Sequence, residues 1–337
     1  MPQMITRNDQ NMQGNWKKDL ANAISDPRKL LFILELTEEA FQADFAARQL
    51  FPMRVPQSFV DRMEKGNPKD PLFLQVMPKQ QEFIQKAGFI KDPLDEHESV
   101  VPGLLHKYTN RVLFIVRGGC AINCRYCFRR HFPYQDNSNN KHEWQQAIDY
   151  IRSKPEIIEV IFSGGDPLMA NDEQLGWLVK QLEQIPHLKR LRIHTRLPVV
   201  MPSRVTDEFV TLLKQSSLRC SVVLHINHPN ELAAELPAAL AKLTTAGISL
   251  YNQAVLLADI NDNADDLVEL HERLFDNRIQ PYYLHLLDKV EGASHFDVPE
   301  EKAVDIMNQL LLRLPGFLVP KLVREIGGEK SKTPISI

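Results

Sequence analysis

From about residue 111 onward, an apolar segment followed by an amphipathic helical segment recurs roughly every thirty residues, the length of one βα unit. This repeat restricts the fold more than any other feature of the chain. Strands are expected over 111–116, 157–162, 190–194, 219–226, 248–256 and 280–286. They read as nearly continuous apolar runs, of which Ile157-Ile158-Glu159-Val160-Ile161-Phe162 is typical, and such runs suit parallel strands buried on both faces. Between them, Leu175, Leu178, Val179 and Leu182 share one helical face behind a capping-box start at Asn171 and Gln174. Leu232, Leu236, Leu240 and Leu243 form a second stripe closed by Gly247.

Alternating βα units build either a doubly wound sheet or a TIM-like barrel, partial or complete. Cys120, the Ser163-Gly164-Gly165-Asp166-Pro167 segment, Arg196, His225 and Asp288 all fall at or just past the C-terminal ends of expected strands. Polar chemistry spread over nearly every strand end favours the barrel, where those ends converge on one face. The expected organisation is therefore α/β. A mainly helical N-terminal segment spans 1–110, with stripes over 30–36 and 40–50 followed by proline-rich loops, and is read as packed on the barrel without being a catalytic unit. The βα barrel spans 111–290, and a C-terminal segment spans 291–337.

Forty basic against forty-three acidic residues leave a net charge of −3, which gives no reason to expect nucleic-acid or membrane-surface binding. The basic run Lys189-Arg190-Leu191-Arg192 reads as a solvated helix-to-strand connection. No apolar run approaches the roughly 20 residues of a membrane span. The polar stretch from Met1 to Trp16 lacks the apolar core of a signal peptide, so a cytoplasmic location is expected. Thiols stay reduced there, and clustered cysteines are more readily metal ligands than disulfides.

Cys120, Cys124 and Cys127 can be brought around one centre by a single tight loop. Three thiolates on a [4Fe–4S] cluster leave one iron open to a small molecule. The rival is structural zinc, which needs a fourth ligand and usually uses two ligand pairs. His131 could supply that ligand, whereas Cys220 opens an expected strand and reads as a small buried residue. A Gly-Gly-Asp-Pro segment alone would be an ordinary strand-to-helix turn.

The C-x3-C-x2-C spacing, with Tyr126 before the last cysteine, resembles the radical S-adenosylmethionine (SAM) superfamily, and Ser163-Gly164-Gly165-Asp166-Pro167 resembles the segment whose backbone touches the SAM amino group there. The resemblance narrows to the lysine 2,3-aminomutase family over roughly 95–337. It is carried by Cys127-Phe128-Arg129-Arg130-His131, His225-Ile226-Asn227-His228-Pro229-Asn230-Glu231, Asn252-Gln253-Ala254-Val255-Leu256-Leu257, Pro281-Tyr282-Tyr283 and the 327–334 segment. Within that family the chain resembles the subgroup making β-lysine, the (R) form, for modification of elongation factor P. The longer, free-lysine enzymes continue well past the position of Ile337.

The resemblance implies three cofactors: the cluster, SAM and pyridoxal 5′-phosphate (PLP). Lys332 stands at the family's PLP lysine, with Lys330 a near competitor. Arg111 matches the arginine on the PLP phosphate, and Lys107 and Tyr108 are lesser candidates nearby. Arg129 matches the arginine that holds the substrate carboxylate as a bidentate pair, while Arg130 is structural or phosphate-facing. Asp288 and Glu325 match the two acids for the lysine ε-ammonium, Glu325 replacing the family's aspartate. Ser163, Gly164, Gly165, Asp166, His225 and Gln253 match the SAM surroundings. Also implied are L-lysine as substrate, a flavodoxin or ferredoxin as electron donor, and a separate ligase acting on elongation factor P. The competing readings are an aminomutase for another amino acid, which would lack the two acids, and a non-enzymatic metal-binding protein.

Overall fold

The structure, a computed structural model, describes residues 16–97, 99–134 and 140–337. The polar start of the chain lies outside the described residues up to Trp16. One nine-stranded sheet organises the rest, with strands β1 (Leu104–Tyr108), β2 (Arg111–Arg117), β3 (Glu159–Gly164), β4 (Arg190–Thr195), β5 (Arg219–Leu224), β6 (Ser249–Val255), β7 (Ile279–His285), β8 (Lys321–Arg324) and β9 (Thr333–Pro334). Their spatial order equals their chain order. A doubly wound sheet reverses its strand order at a switch point, so this sequential order selects the barrel-like alternative.

β2 through β8 run parallel, and antiparallel strands β1 and β9 flank them. Among the described strands no ladder joins β1 to β9, so the barrel is partial. Side chains span the seam instead. Glu325, just past β8, accepts from the Tyr108 hydroxyl at 3.2 Å and from Lys107 Nζ at 3.4 Å, both on β1.

The six expected strands form with ends displaced by at most two residues. β1, β8 and β9, of five, four and two residues, lie outside the expected set because such short strands carry little periodic signal. The sheet consequently extends on both sides of the 111–290 interval. β3 is buried along its whole length, as expected of a strand covered on both faces, but the inner face of the sheet mixes polar with apolar residues. Val112, Phe114, Val160, Phe162, Leu191 and Ile193 point outward into the core beneath the helices, whereas Arg111, Ser163, Arg192 and His194 face inward on the alternate pleat. Arg192 is therefore not part of a solvated connection. It lines the interior and pairs with Glu159.

The helix Asp172–Glu183 starts at the expected capping box, Gln174 N donating to Asn171 Oδ1 at 2.8 Å, and buries the expected stripe. Helix Leu236–Thr245 buries Leu236, Leu240 and Leu243, but Leu232 precedes it. The 40–50 stripe forms only 3₁₀ turns, Glu38–Phe41 and Phe45–Gln49, in place of a helix.

The described part of the N-terminal segment clamps the cysteine loop. Arg54 N–H and carbonyl groups meet it from one side, Nη1 donating to Cys120 O at 3.2 Å while Arg54 O accepts from Asn123 N at 2.9 Å. Gln75 O accepts from Arg125 N at 2.9 Å. The fully buried Arg125 pairs with Glu82, which also receives Arg130 Nη2 at 2.7 Å. Arg130 is thus structural. Removing one member of a buried ion pair strands its partners, at a cost of about 3–5 kcal/mol. Glu82→Gln should lower the stability of the cofactor-free chain by that amount, read from its urea midpoint; an unchanged midpoint would mean the two arginines find other partners.

Candidate active site

A cavity of about 340 Å³ opens among the C-terminal strand ends. All three clustered cysteines line one wall. Among the described residues no three His, Cys, Asp or Glu side chains are gathered as ligands of a single ion. His131 faces the Glu291 carbonyl at 3.3 Å and is absent from the cavity wall, so the fourth ligand required by the zinc reading is not supplied by it. Burial raises the Cys120 and Cys127 thiols, and Cys127 is pushed up to about 11 with further repulsion from Cys124. Bound iron reverses this balance, because a coordinating thiol is deprotonated outright.

The two glycines of the 163–167 segment serve close approach of the chain to itself. Gly164 has φ +130, and a Cβ there would lie 2.2 Å from Arg117 O. A Cβ on Gly165 would lie 2.6 Å from the carbonyl oxygens of Gly118 and Gly119. Gly165 N donates to Arg117 O at 2.7 Å, and Asp166 N to Gly119 O at 3.0 Å. The segment is thereby stitched to the backbone entering the cysteine loop. The Asp166 carboxylate accepts from Leu168 N, Thr195 Oγ1, Arg196 N and Leu197 N, all within 2.9 Å on at least one oxygen. Those bonds use its acceptor directions and join the ends of β3 and β4, which makes it a loop fastener even though it borders the cavity.

The same cavity is lined by the charged groups Glu325, Lys332, Asp288 and Arg129. The hairpin formed by β8 and β9 pairs Arg324 with Thr333, so the next pair outward is Glu325 opposite Lys332. Lys332 Nζ donates to Glu325 Oε2. Lys330 lies in the exposed turn, and only Lys332 of the two faces the cavity. Burial would raise the Glu325 carboxyl, but Lys332 and Lys107 outweigh it and hold it at about 2. At Asp288 the same two lysines offset burial only in part. Burial, reinforced by Glu325, lifts it to about 7.

Arg129 is buried, donating from Nε to Glu96 Oε2 at 2.6 Å and from Nη1 to Ser163 Oγ at 2.9 Å and Gly164 O at 3.1 Å. Burial works against its charge, and Glu96 more than offsets that. Glu96 also receives Lys107 Nζ at 3.0 Å. Arg111 stacks over the Tyr108 ring at 4.0 Å, both on the cavity wall.

His225 is stacked on Tyr126, its Nε2 2.8 Å from the tyrosine hydroxyl, and burial beside Arg196 lowers it to about 3. Gln253 Oε1, His194 Nε2 and His285 Nε2 line the cavity buried and without a hydrogen-bond partner. Orphaned buried polar atoms are rare in native folds and fit a polar ligand that completes them. Apart from the lesser candidates Lys107 and Lys330, the cofactor and substrate residues singled out from the sequence all border this one cavity. Glu96, Arg192, His194 and His285 were not among them. The i, i+2 alternation of Arg192 and His194 along β4 carried a usable signal, whereas Glu96 lies in an irregular loop that carried none.

Comparison with known proteins agrees with this geometry. Residues 114–274 match the radical SAM superfamily. The chain is 54% identical to the L-lysine 2,3-aminomutase of Escherichia coli, covering 100% of this chain and 98% of that protein. It is 58% identical to the Haemophilus influenzae protein of the same name, covering 95% of each. It is 35% identical to that of Clostridium subterminale, covering 95% of this chain and 77% of that one. With such identity over nearly its whole length, the chain belongs to the L-lysine 2,3-aminomutase family of radical SAM enzymes.

Proposed function

We propose that the protein isomerises L-α-lysine to β-lysine, moving the amino group from Cα to Cβ. One observation carries this reading: a single cavity is lined by three cysteine thiols together with Lys332, Arg129 and two carboxylates. An aminomutase for a substrate without a side-chain ammonium has no use for that acid pair. Cys120, Cys124 and Cys127 would hold an iron–sulfur cluster, which with SAM would supply the hydrogen-abstracting radical, and PLP held by Lys332 would supply a conjugated system for the migrating amino group.

The chain's own residues then divide the work. Lys332 is the covalent anchor for PLP, and Arg111 with Tyr108 suits its phosphate. Ser163, Gly164, Gly165, His225 and Gln253 border SAM; Asp166 fixes the loop that carries the first three of them. Arg129 meets the substrate carboxylate. Its Nε and Nη1 are already committed, so the nitrogen these bonds leave is Nη2, and a fork-to-fork pairing is not the geometry this arrangement favours. Asp288 and Glu325 receive the ε-ammonium.

Asp288 is the more informative of the two acids. With its carboxyl near 7, binding a cation there at lower pH requires loss of a proton, so kcat/KM for lysine should fall about tenfold per unit below pH 7 and level off above it. Asp288→Asn should flatten that limb and cost about 2–5 kcal/mol, tens-fold or more in kcat/KM, with PLP and iron content unchanged. Normal activity in the variant removes Asp288 from the substrate site.

The product passes to a separate ligase acting on elongation factor P, and a flavodoxin or ferredoxin reduces the cluster. The subgroup resemblance of the sequence supports both steps. Intact-mass measurement of elongation factor P from cells with and without the gene should reveal a β-lysyl difference that added β-lysine restores. Equal masses in the two strains would overturn the pathway assignment and leave the isomerase reading standing.

A further inference from the structure

We infer that Arg196, held from behind by Glu231, is a positioning residue that sets the reduction potential of the cluster through a hydrogen bond to the sulfur of Cys124. The inference rests on the cluster assignment above. Arg196 is the first residue past β4, and its backbone is fixed by the Asp166 carboxylate, which accepts its N–H at 2.8 Å. Its guanidinium is buried and splits its fork. Nη1 donates to Cys124 Sγ at 2.8 Å and to the Tyr126 hydroxyl at 2.6 Å. Nη2 donates to Glu231 Oε2 at 2.9 Å and to Gln75 Oε1 at 2.6 Å.

A purely structural arginine would set both nitrogens against the carboxylate, the geometry that best neutralises a buried pair. Here only one end does so, and the other is turned to the thiol. Glu231 cannot follow it. Its Oε1 is pinned by Asn227 N at 3.0 Å, His228 N at 3.2 Å and Gln75 Nε2 at 3.2 Å, leaving Oε2 for the guanidinium. The sulfur therefore sees a cation at hydrogen-bond distance, backed by an anion one side chain further away.

Reduction adds one negative charge to the cluster. An N–H bond to a cluster sulfur and a nearby cation favour the reduced form, while a carboxylate opposes it. Two neighbours of one sulfur thus act with opposite signs. Tyr126, between Cys124 and Cys127, takes a bond from the same Nη1 and so ties the guanidinium to the loop carrying the ligands.

The test is an anaerobic redox titration of the reconstituted full-length protein without SAM, followed by EPR, with iron content measured alongside. Arg196→Met should lower the ratio of reduced to oxidised cluster about tenfold at fixed solution potential, which is 59 mV for a one-electron couple. Arg196→Lys, keeping charge but not the fork, should recover part of that loss. Glu231→Gln should shift the ratio upward. A structural role alone predicts lower iron content with an unmoved midpoint in what remains. A wild-type midpoint in cluster-loaded Arg196→Met overturns the inference. If that variant holds no iron, Glu231→Gln decides, since an unchanged or lowered midpoint there overturns it equally. Wild-type protein that binds no cluster would instead bring down the functional reading itself, and this inference with it.

Discussion

Cys124→Ala protein, purified without oxygen, should lack the EPR signal of a reduced [4Fe–4S] cluster and convert lysine no faster than background. Enzymes commonly accelerate their reactions by at least about 10⁶-fold, and a chain without the radical source forfeits that whole factor. Cys124 suits the experiment because two constraints meet on it: its carbonyl accepts from Cys127 N at 3.0 Å, turning the loop, and its sulfur takes the Arg196 bond. Alanine keeps the backbone bond and removes only the sulfur, so the fold should survive. An undiminished EPR signal, or one that does not change when SAM is added to wild-type protein, would dismiss the three-cysteine assignment.

The second large effect is expected at Lys332. Borohydride reduction of the PLP-loaded protein followed by peptide mapping should place the pyridoxyl mass on Lys332 and leave Lys330 unmodified. Lys332→Ala should lower turnover on the order of 10²-fold or more, since cofactor bound without its covalent anchor loses orientation. The hairpin register is the reason for the choice. Lys332 lies opposite Glu325 and against the Tyr283 ring at 5.7 Å, whereas Lys330 projects from the turn into solvent. A pyridoxyl mass on Lys330 would mean that the hairpin shifts when the cofactor binds.

That register also marks how far the sequence could be read. Its βα repeat gave the six central strands because each is a run long enough for apolar spacing to register. The cysteine spacing and the Gly-Gly-Asp-Pro segment were legible as motifs, though the physical need for glycine at 164 and 165 was not. It comes from carbonyl groups that approach only once β2 and β3 are side by side. β8 and β9 are too short to carry a pattern, so the adjacency of Glu325 and Lys332 across seven residues was visible only through family resemblance. Glu96 sits in an irregular loop, Glu82 in the 3₁₀ turn Gln80–Phe83 and Gln75 just past the one-turn helix Pro71–Leu74, all too short for a periodic signal, and their contacts with Arg129, Arg125 and Arg196 are long-range. Reading 1–110 as a segment packed on the barrel gives no view of these contacts.

The unjoined seam between β1 and β9 has a consequence for size. In a barrel closed by hydrogen bonds, girth is fixed by strand number and stagger, and can change only by adding or slipping a whole strand. Here the ends of the sheet are spaced by Lys107 and Tyr108 reaching to Glu325. Girth at this point is therefore graded by side-chain length. Shortening Glu325 by one methylene would oblige the two ends to draw together or part company. An aspartate at this position would, by the same reasoning, give a vessel of slightly different bore, so the room available to its contents can be adjusted one carbon at a time without altering a single strand.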